Sequence, residues 1–238
     1  GFTSALLCAA LSAGAAAAVT ETVSVRTSDG VATFCDIYRP SGPFSVAVLF
    51  LPELGGTRAD WAALAESLST RGVGAACLDL RPVRAAGEAR PVWGRAEDPL
   101  TAWTEAWREI QAAYDSLGSR AGTASPRTVL VGAGLGGAAA AVASSRMPRP
   151  PGALVLVHPA PALAGIPIVP ILAGLESSLL ILSTLDQSDV QETGRDAFLA
   201  CRPRAALWMT GPATEDAVAI FLRCPQLAVD LMDWIERK

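Results

Sequence analysis

The chain has 238 residues, a net charge of −4, 51% hydrophobic and only 18% charged residues, and a mean hydropathy of +0.35. That length holds a sizeable core, and the composition excludes a disordered chain or a polar coiled coil. Positive charge is carried by Arg with Lys238 as the only Lys, scattered in no basic block, which argues against a nucleic-acid partner. The chain has one His and no Asn, which excludes His-rich metal sites, His relays and N-glycosylation sequons, so neither a metal nor a cofactor is expected. Cys8, Cys35, Cys77, Cys201 and Cys224 show no C-x-x-C spacing and read as small buried hydrophobes, with a Cys201–Cys224 disulfide as the alternative.

Residues 1–20 form a hydrophobic N-terminal segment. Its stretch from Phe2 to Val19 is uncharged and Ala-rich and resembles the apolar region of an export signal without its basic front. Eighteen helical residues would span about 27 Å, close to a bilayer core. A retained anchor or a helix packed on a membrane partner is the leading expectation, with an uncleaved signal peptide or a soluble-core helix as alternatives. The location that follows is exported or organellar, at a membrane.

Residues 21–238 read as one α/β domain. Runs of aliphatic and β-branched residues predict eight strands: Thr22–Thr27, Ala32–Tyr38, Ser45–Leu51, Val73–Asp79, Thr128–Gly132, Ala153–His158, Ser178–Thr184 and Ala205–Thr210. The first two flank Ser28-Asp29-Gly30, a hairpin turn signal. Between the third and fourth, Thr57-x-x-Asp60 reads as a capping box before a helix that turns Trp61, Leu64, Ala65 and Leu68 inward. A second helix is predicted to open at Pro99, to bury Leu100, Trp103, Trp107, Ile110, Tyr114 and Leu117, and to stop at Gly118. The last opens at Pro225 and buries Leu227, Leu231 and Trp234.

A hairpin, then a strand, a Gly-rich loop, a helix, a strand ending Leu78-Asp79-Leu80-Arg81 and a strand running into the glycine run Gly132-Ala133-Gly134-Leu135-Gly136-Gly137 together resemble the α/β-hydrolase superfamily, in its compact esterase or dienelactone-hydrolase-like form. The resemblance runs from about Val23 to Trp234. It implies an eight-stranded, mostly parallel sheet with helices on both faces and no cap domain. It also implies a strained strand-to-helix elbow whose central residue is the nucleophile. Gly134 stands there. Asp186, in Leu185-Asp186-Gln187, matches the position of the triad acid, and an Asp at a strand end is also an ordinary turn residue. Thr214 stands where the base is expected, and a Thr hydroxyl does not shuttle protons near neutral pH.

In the oxyanion loop the family's His-Gly becomes Pro52-Glu53, whose carboxylate is expected to oppose a developing anion. His158, at a strand end beside Pro159, is out of order for a triad base and reads as a structural or pocket-lining residue. Ser144 and Ser145 lie too far along the helix to attack a substrate. A phosphate-binding reading of the glycine run lacks the ribose-binding acid.

These losses lead to the expectation of a catalytically inactive member, no enzyme, serving as an accessory or scaffold subunit on a membrane or membrane protein complex. The alternatives are a binding protein that holds a small apolar ligand in the remnant pocket, and a hydrolase with non-standard residues. The stretch from Pro159 to Glu176 supplies Ile166, Ile168, Val169, Ile171 and Leu172 as a candidate apolar interface between prolines that resist regular structure, or as a loop folded over the cleft.

Overall fold

The protein is described by a computed structural model over residues 19–81, 102–123, 126–211 and 217–238. The N-terminal segment up to residue 18 lies outside these residues, as do Pro99, Leu100 and Thr214. Among the described residues no helix is long and apolar enough to cross a membrane.

The strands in chain order are β1 (Val19–Arg26), β2 (Ala32–Arg39), β3 (Val46–Leu51), β4 (Gly74–Leu78), β5 (Arg127–Ala133), β6 (Ala153–Val157), the two-residue β7 (Ala162–Leu163) and β8 (Ile166–Pro167), β9 (Ser178–Ser183) and β10 (Ala205–Met209). The helices are α1 (Ala62–Thr70), α2 (Trp107–Gly118), α3 (Gly134–Arg146), α4 (Ile168–Ala173), α5 (Ser188–Ala200), α6 (Ile220–Arg223) and α7 (Pro225–Glu236). Eight strands form one sheet in the order β1-β2-β4-β3-β5-β6-β9-β10. The β1–β2 and β2–β4 pairs are antiparallel and every later pair is parallel. The eight expected strands are thus all present. The first begins earlier than Thr22, with Val19 opposite Arg39.

The continuous apolar runs are explained by burial on both faces: every residue of β3, β4 and β6 is buried. One face carries α2, α3, α4 and α5, with Leu49, Leu130, Ile110, Ala139 and Ile168 in its core. The other carries α1, α6 and α7, with Val48, Phe50, Trp61, Phe221 and Trp234. Phe50 and Trp61 stack at 4.9 Å between ring centroids, and the Trp61 indole donates to the Leu51 carbonyl at 3.0 Å. The aromatic therefore both fills the core and pins the end of β3.

The stretch from Pro159 to Glu176 is more regular than expected. It forms the small β7–β8 hairpin and then α4. Ile168 and Leu172 are buried in the main core, whereas Ile166, Val169 and Ile171 pack against it only in part. Two of the five residues expected to form an apolar interface are therefore core. Cys35, Cys77 and Cys201 are buried and Cys224 is exposed, all as free thiols, so the alternative of a Cys201–Cys224 disulfide is not realised.

Candidate functional site

The parallel strands end together at one edge of the sheet, and the loops that leave them carry the residues singled out from the sequence. β5 runs straight into α3 through Gly134, whose φ of +50° lies in the left-handed region that glycine adopts without a steric penalty. The turn is tight because the glycines beside it are in backbone contact. A Cβ on Gly132 would sit 2.5 Å from the Gly136 carbonyl oxygen, and one on Gly136 only 2.1 Å from that of Pro52. The elbow expected at the glycine run is present. It is wedged against the end of β3.

Above Gly134 stands Glu53. A Cβ on Gly134 would lie 2.6 Å from Glu53 Oε1, so the carboxylate fills the space a nucleophilic side chain would take at this elbow. Its other oxygen, Oε2, accepts the Ala217 amide at 3.2 Å. The loop beneath it is held at both ends. Gly56 N–H donates to the Glu53 carbonyl at 2.9 Å. The expected capping box is formed, with Thr57 N donating to Asp60 Oδ2 at 2.8 Å. Next to it, Arg58 N donates to Asp79 Oδ1 at 2.8 Å, and the Arg58 guanidinium pairs with Asp79 and with Asp36. Asp79 thereby ties the loop to the end of β4.

Asp186 is exposed beyond β9 and accepts a hydrogen bond from the Thr184 hydroxyl. His158 is buried, with 6% of its surface exposed. Although it leaves β6, its Nε2 reaches across the end of β9 to Thr210 Oγ1, 3.1 Å away at the end of β10. Burial lowers its pKa, with the Asp186 charge acting the other way. The expectation of a structural His is met in its burial and its bond to Thr210. Its reach to the far side of the edge was missed. Ser144 and Ser145 are spent on helix carbonyls, those of Ala140 and Val142.

The structure thus brings Glu53, Gly134 and the amide of Ala217 together, with His158, Thr210 and Asp186 further along the same edge. Sequence reasoning placed Glu53 in the oxyanion loop but missed that its carboxylate rests on the elbow. A Gly at 134 opposite a Glu at 53 was the available signal, since the absent side chain leaves room for the carboxylate. At the opposite, amino end of the strands, a shallow hollow of about 630 Å³ is lined by Tyr114, Asp115, Ser119, Arg127 and Arg149 among others and holds none of these groups. Among the described residues no group of three or more His, Cys, Asp or Glu side chains is arranged to hold a metal ion.

No family model matches the chain, and no curated protein does. Solved structures do. A dienelactone hydrolase from Anabaena variabilis superposes with a TM-score of 0.72 at 19% identity, over 93% of this chain and 99% of its own. An esterase from Pyrococcus furiosus gives 0.72 at 12%, over 92% and 91%, and carboxyl esterase 2 from Tuber melanosporum gives 0.68 at 14%, over 95% and 88%. At these identities the likeness is one of fold. It also corrects the functional expectation: proteins of this shape, aligned nearly end to end, are named as hydrolases and esterases, which overturns the reading of a non-catalytic scaffold that is no enzyme. The elbow, the sheet order and these superpositions agree, and the chain has the α/β-hydrolase fold, in the form shared by dienelactone hydrolases and esterases.

Proposed function

We propose that the protein is a hydrolase of carboxylic esters with a non-standard site, in which Glu53 acts as general base on a water molecule bound to its carboxylate at the elbow. The observation that carries this reading is the Glu53 carboxylate, 2.6 Å from where a Cβ of residue 134 would be. At an elbow without a side chain, the attacking oxygen is that of water, and the group placed to take its proton is Glu53. Water attacks the ester carbonyl carbon while Glu53 accepts one of its protons. The carbonyl oxygen becomes an oxyanion against the first-turn amides of α3, which have no carbonyl partner within the helix. The intermediate collapses, the alcohol oxygen leaves with the proton from Glu53, and acid and alcohol are released.

This sequence resolves the conflict expected from the oxyanion loop. Negative charge passes from Glu53 to the oxyanion as the proton moves, so the two are never charged together. Support also comes from the esterases and the dienelactone hydrolase of the same fold. The test is hydrolysis of short-chain p-nitrophenyl esters by the whole chain. Turnover is expected, insensitive to serine-directed fluorophosphonates, and Glu53→Gln is expected to lower it about 100-fold or more. Wild-type turnover no faster than buffer, or a Glu53→Gln protein as fast as wild type, overturns the reading.

A further inference from the structure

The buried His158 is not used by the water-activating step, yet its backbone is held at a φ of +46°, in the left-handed region that a residue with a side chain adopts only at a steric cost. Three hydrogen bonds show what this bend connects. His158 N–H donates to the Leu182 carbonyl at 2.8 Å, and two residues later Ala160 N–H donates to the Gly134 carbonyl at 3.1 Å. The ring bonds to Thr210 Oγ1. Thr210 is itself held to β9, its hydroxyl lying 2.8 Å from the Ser183 carbonyl and its N–H donating to that carbonyl at 2.7 Å. One short bend therefore ties β9, β10 and the elbow.

We propose that His158 is a positioning residue for the oxyanion-binding amide, acting through the Ala160–Gly134 hydrogen bond. The inference rests on the hydrolase reading above. The link is the planarity of the peptide unit: the Gly134 carbonyl and the Leu135 N–H belong to one rigid group, so fixing the oxygen fixes the direction of the N–H. Leu135 N–H lies in the first turn of α3, immediately after the elbow, where an ester oxyanion would seek its donors. The ring of His158 locks the bend, the bend places Ala160, and Ala160 sets the plane of the donor.

The test uses Thr210→Val, which removes the ring's hydrogen-bond partner without touching the elbow, His158→Gly, which relieves the backbone but removes the ring, and Thr210→Ser as the conservative rescue. Two quantities are measured on the full chain: steady-state ester hydrolysis and amide hydrogen exchange at Ala160, with Val48 in the central strand as the control for folding. Thr210→Val and His158→Gly are expected to lose about 10- to 100-fold in kcat with KM within about twofold. Their Ala160 amide is expected to exchange at least about tenfold faster while Val48 is unchanged, and Thr210→Ser to behave as wild type. Variants that keep both kcat and Ala160 protection overturn the proposal, as does a loss that Thr210→Ser fails to restore. If the wild-type protein hydrolyses no ester, the hydrolase reading falls, and Ala160 exchange then decides by itself whether His158 holds the elbow.

Discussion

Two glycines of the elbow, two residues apart, answer differently to the same added methyl group. At Gly136 the Cβ would meet the backbone oxygen of Pro52 at 2.1 Å and that of Leu51 at 3.0 Å. Neither can move without shifting the end of β3. At Gly134 it would meet the end of the Glu53 side chain at 2.6 Å, which can swing away, leaving the left-handed φ as the main cost. Gly136→Ala is therefore expected to destabilise by more than about 3 kcal/mol or to prevent folding. Gly134→Ala should fold with a loss of about 1–2 kcal/mol and lose ester hydrolysis because the carboxylate is displaced. Chemical denaturation of both variants, with activity measured on Gly134→Ala, checks this. A folded, stable Gly136→Ala protein would contradict the packing described here.

Among the elements, the loop between β3 and α1 was the most legible. The Thr57-x-x-Asp60 spacing specifies its own cap through bonds between near neighbours, and those bonds are present. Thr57→Ala is expected to cost about 1 kcal/mol and, because the cap supports the loop bearing Glu53, to lower kcat more than it raises KM. Equal effects on the two constants would argue against that support. The stretch from Pro159 to Glu176 was misjudged because its prolines were read as helix breakers. Pro167 is the N-cap of α4 and Pro170 falls in its first turn, where the missing N–H has no intrahelical partner to lose. The strands were readable because apolar runs record burial on both faces. The placement of Glu53 was not, since its partner Ala217 lies 164 residues away and no local pattern encodes that contact. The same holds for His158 and Thr210, 52 residues apart.

At the scale of the whole molecule, three elements meet at an ion cluster, with Arg81 and Glu109 buried and Asp29 exposed at its rim: the β1–β2 turn through Asp29, the end of β4 through Arg81, and α2 through Glu109. Glu109 is fully buried and its Oε2 has no hydrogen-bond partner. Burial pushes its pKa up to about 7 against the pull of Arg81. On Asp29 burial also works upward, but hydrogen bonds from Arg81 and Thr27 outweigh it and hold the carboxyl at about 2. A carboxylate whose folded pKa is raised favours the folded state most when protonated, so its contribution is complete below about pH 4.5 and is lost as pH rises through about 7. Asp29 acts in the opposite sense, only below about pH 4. Stability is therefore expected to fall between pH 5 and 8, and Glu109→Gln to flatten that slope; an unchanged slope in denaturant titrations would exclude Glu109 as its source. The sheet itself has two unlike margins. β1 carries Thr, Glu and Arg on its strand, whereas β10, at the other border, reads Ala-Ala-Leu-Trp-Met without a charge. Beyond it no further strand takes up its backbone groups among the described residues. An uncharged border strand is a template for a second chain once heat loosens what surrounds it. Thermal unfolding of this protein should accordingly be irreversible, with an apparent midpoint that drops as protein concentration rises and the chains meet edge to edge.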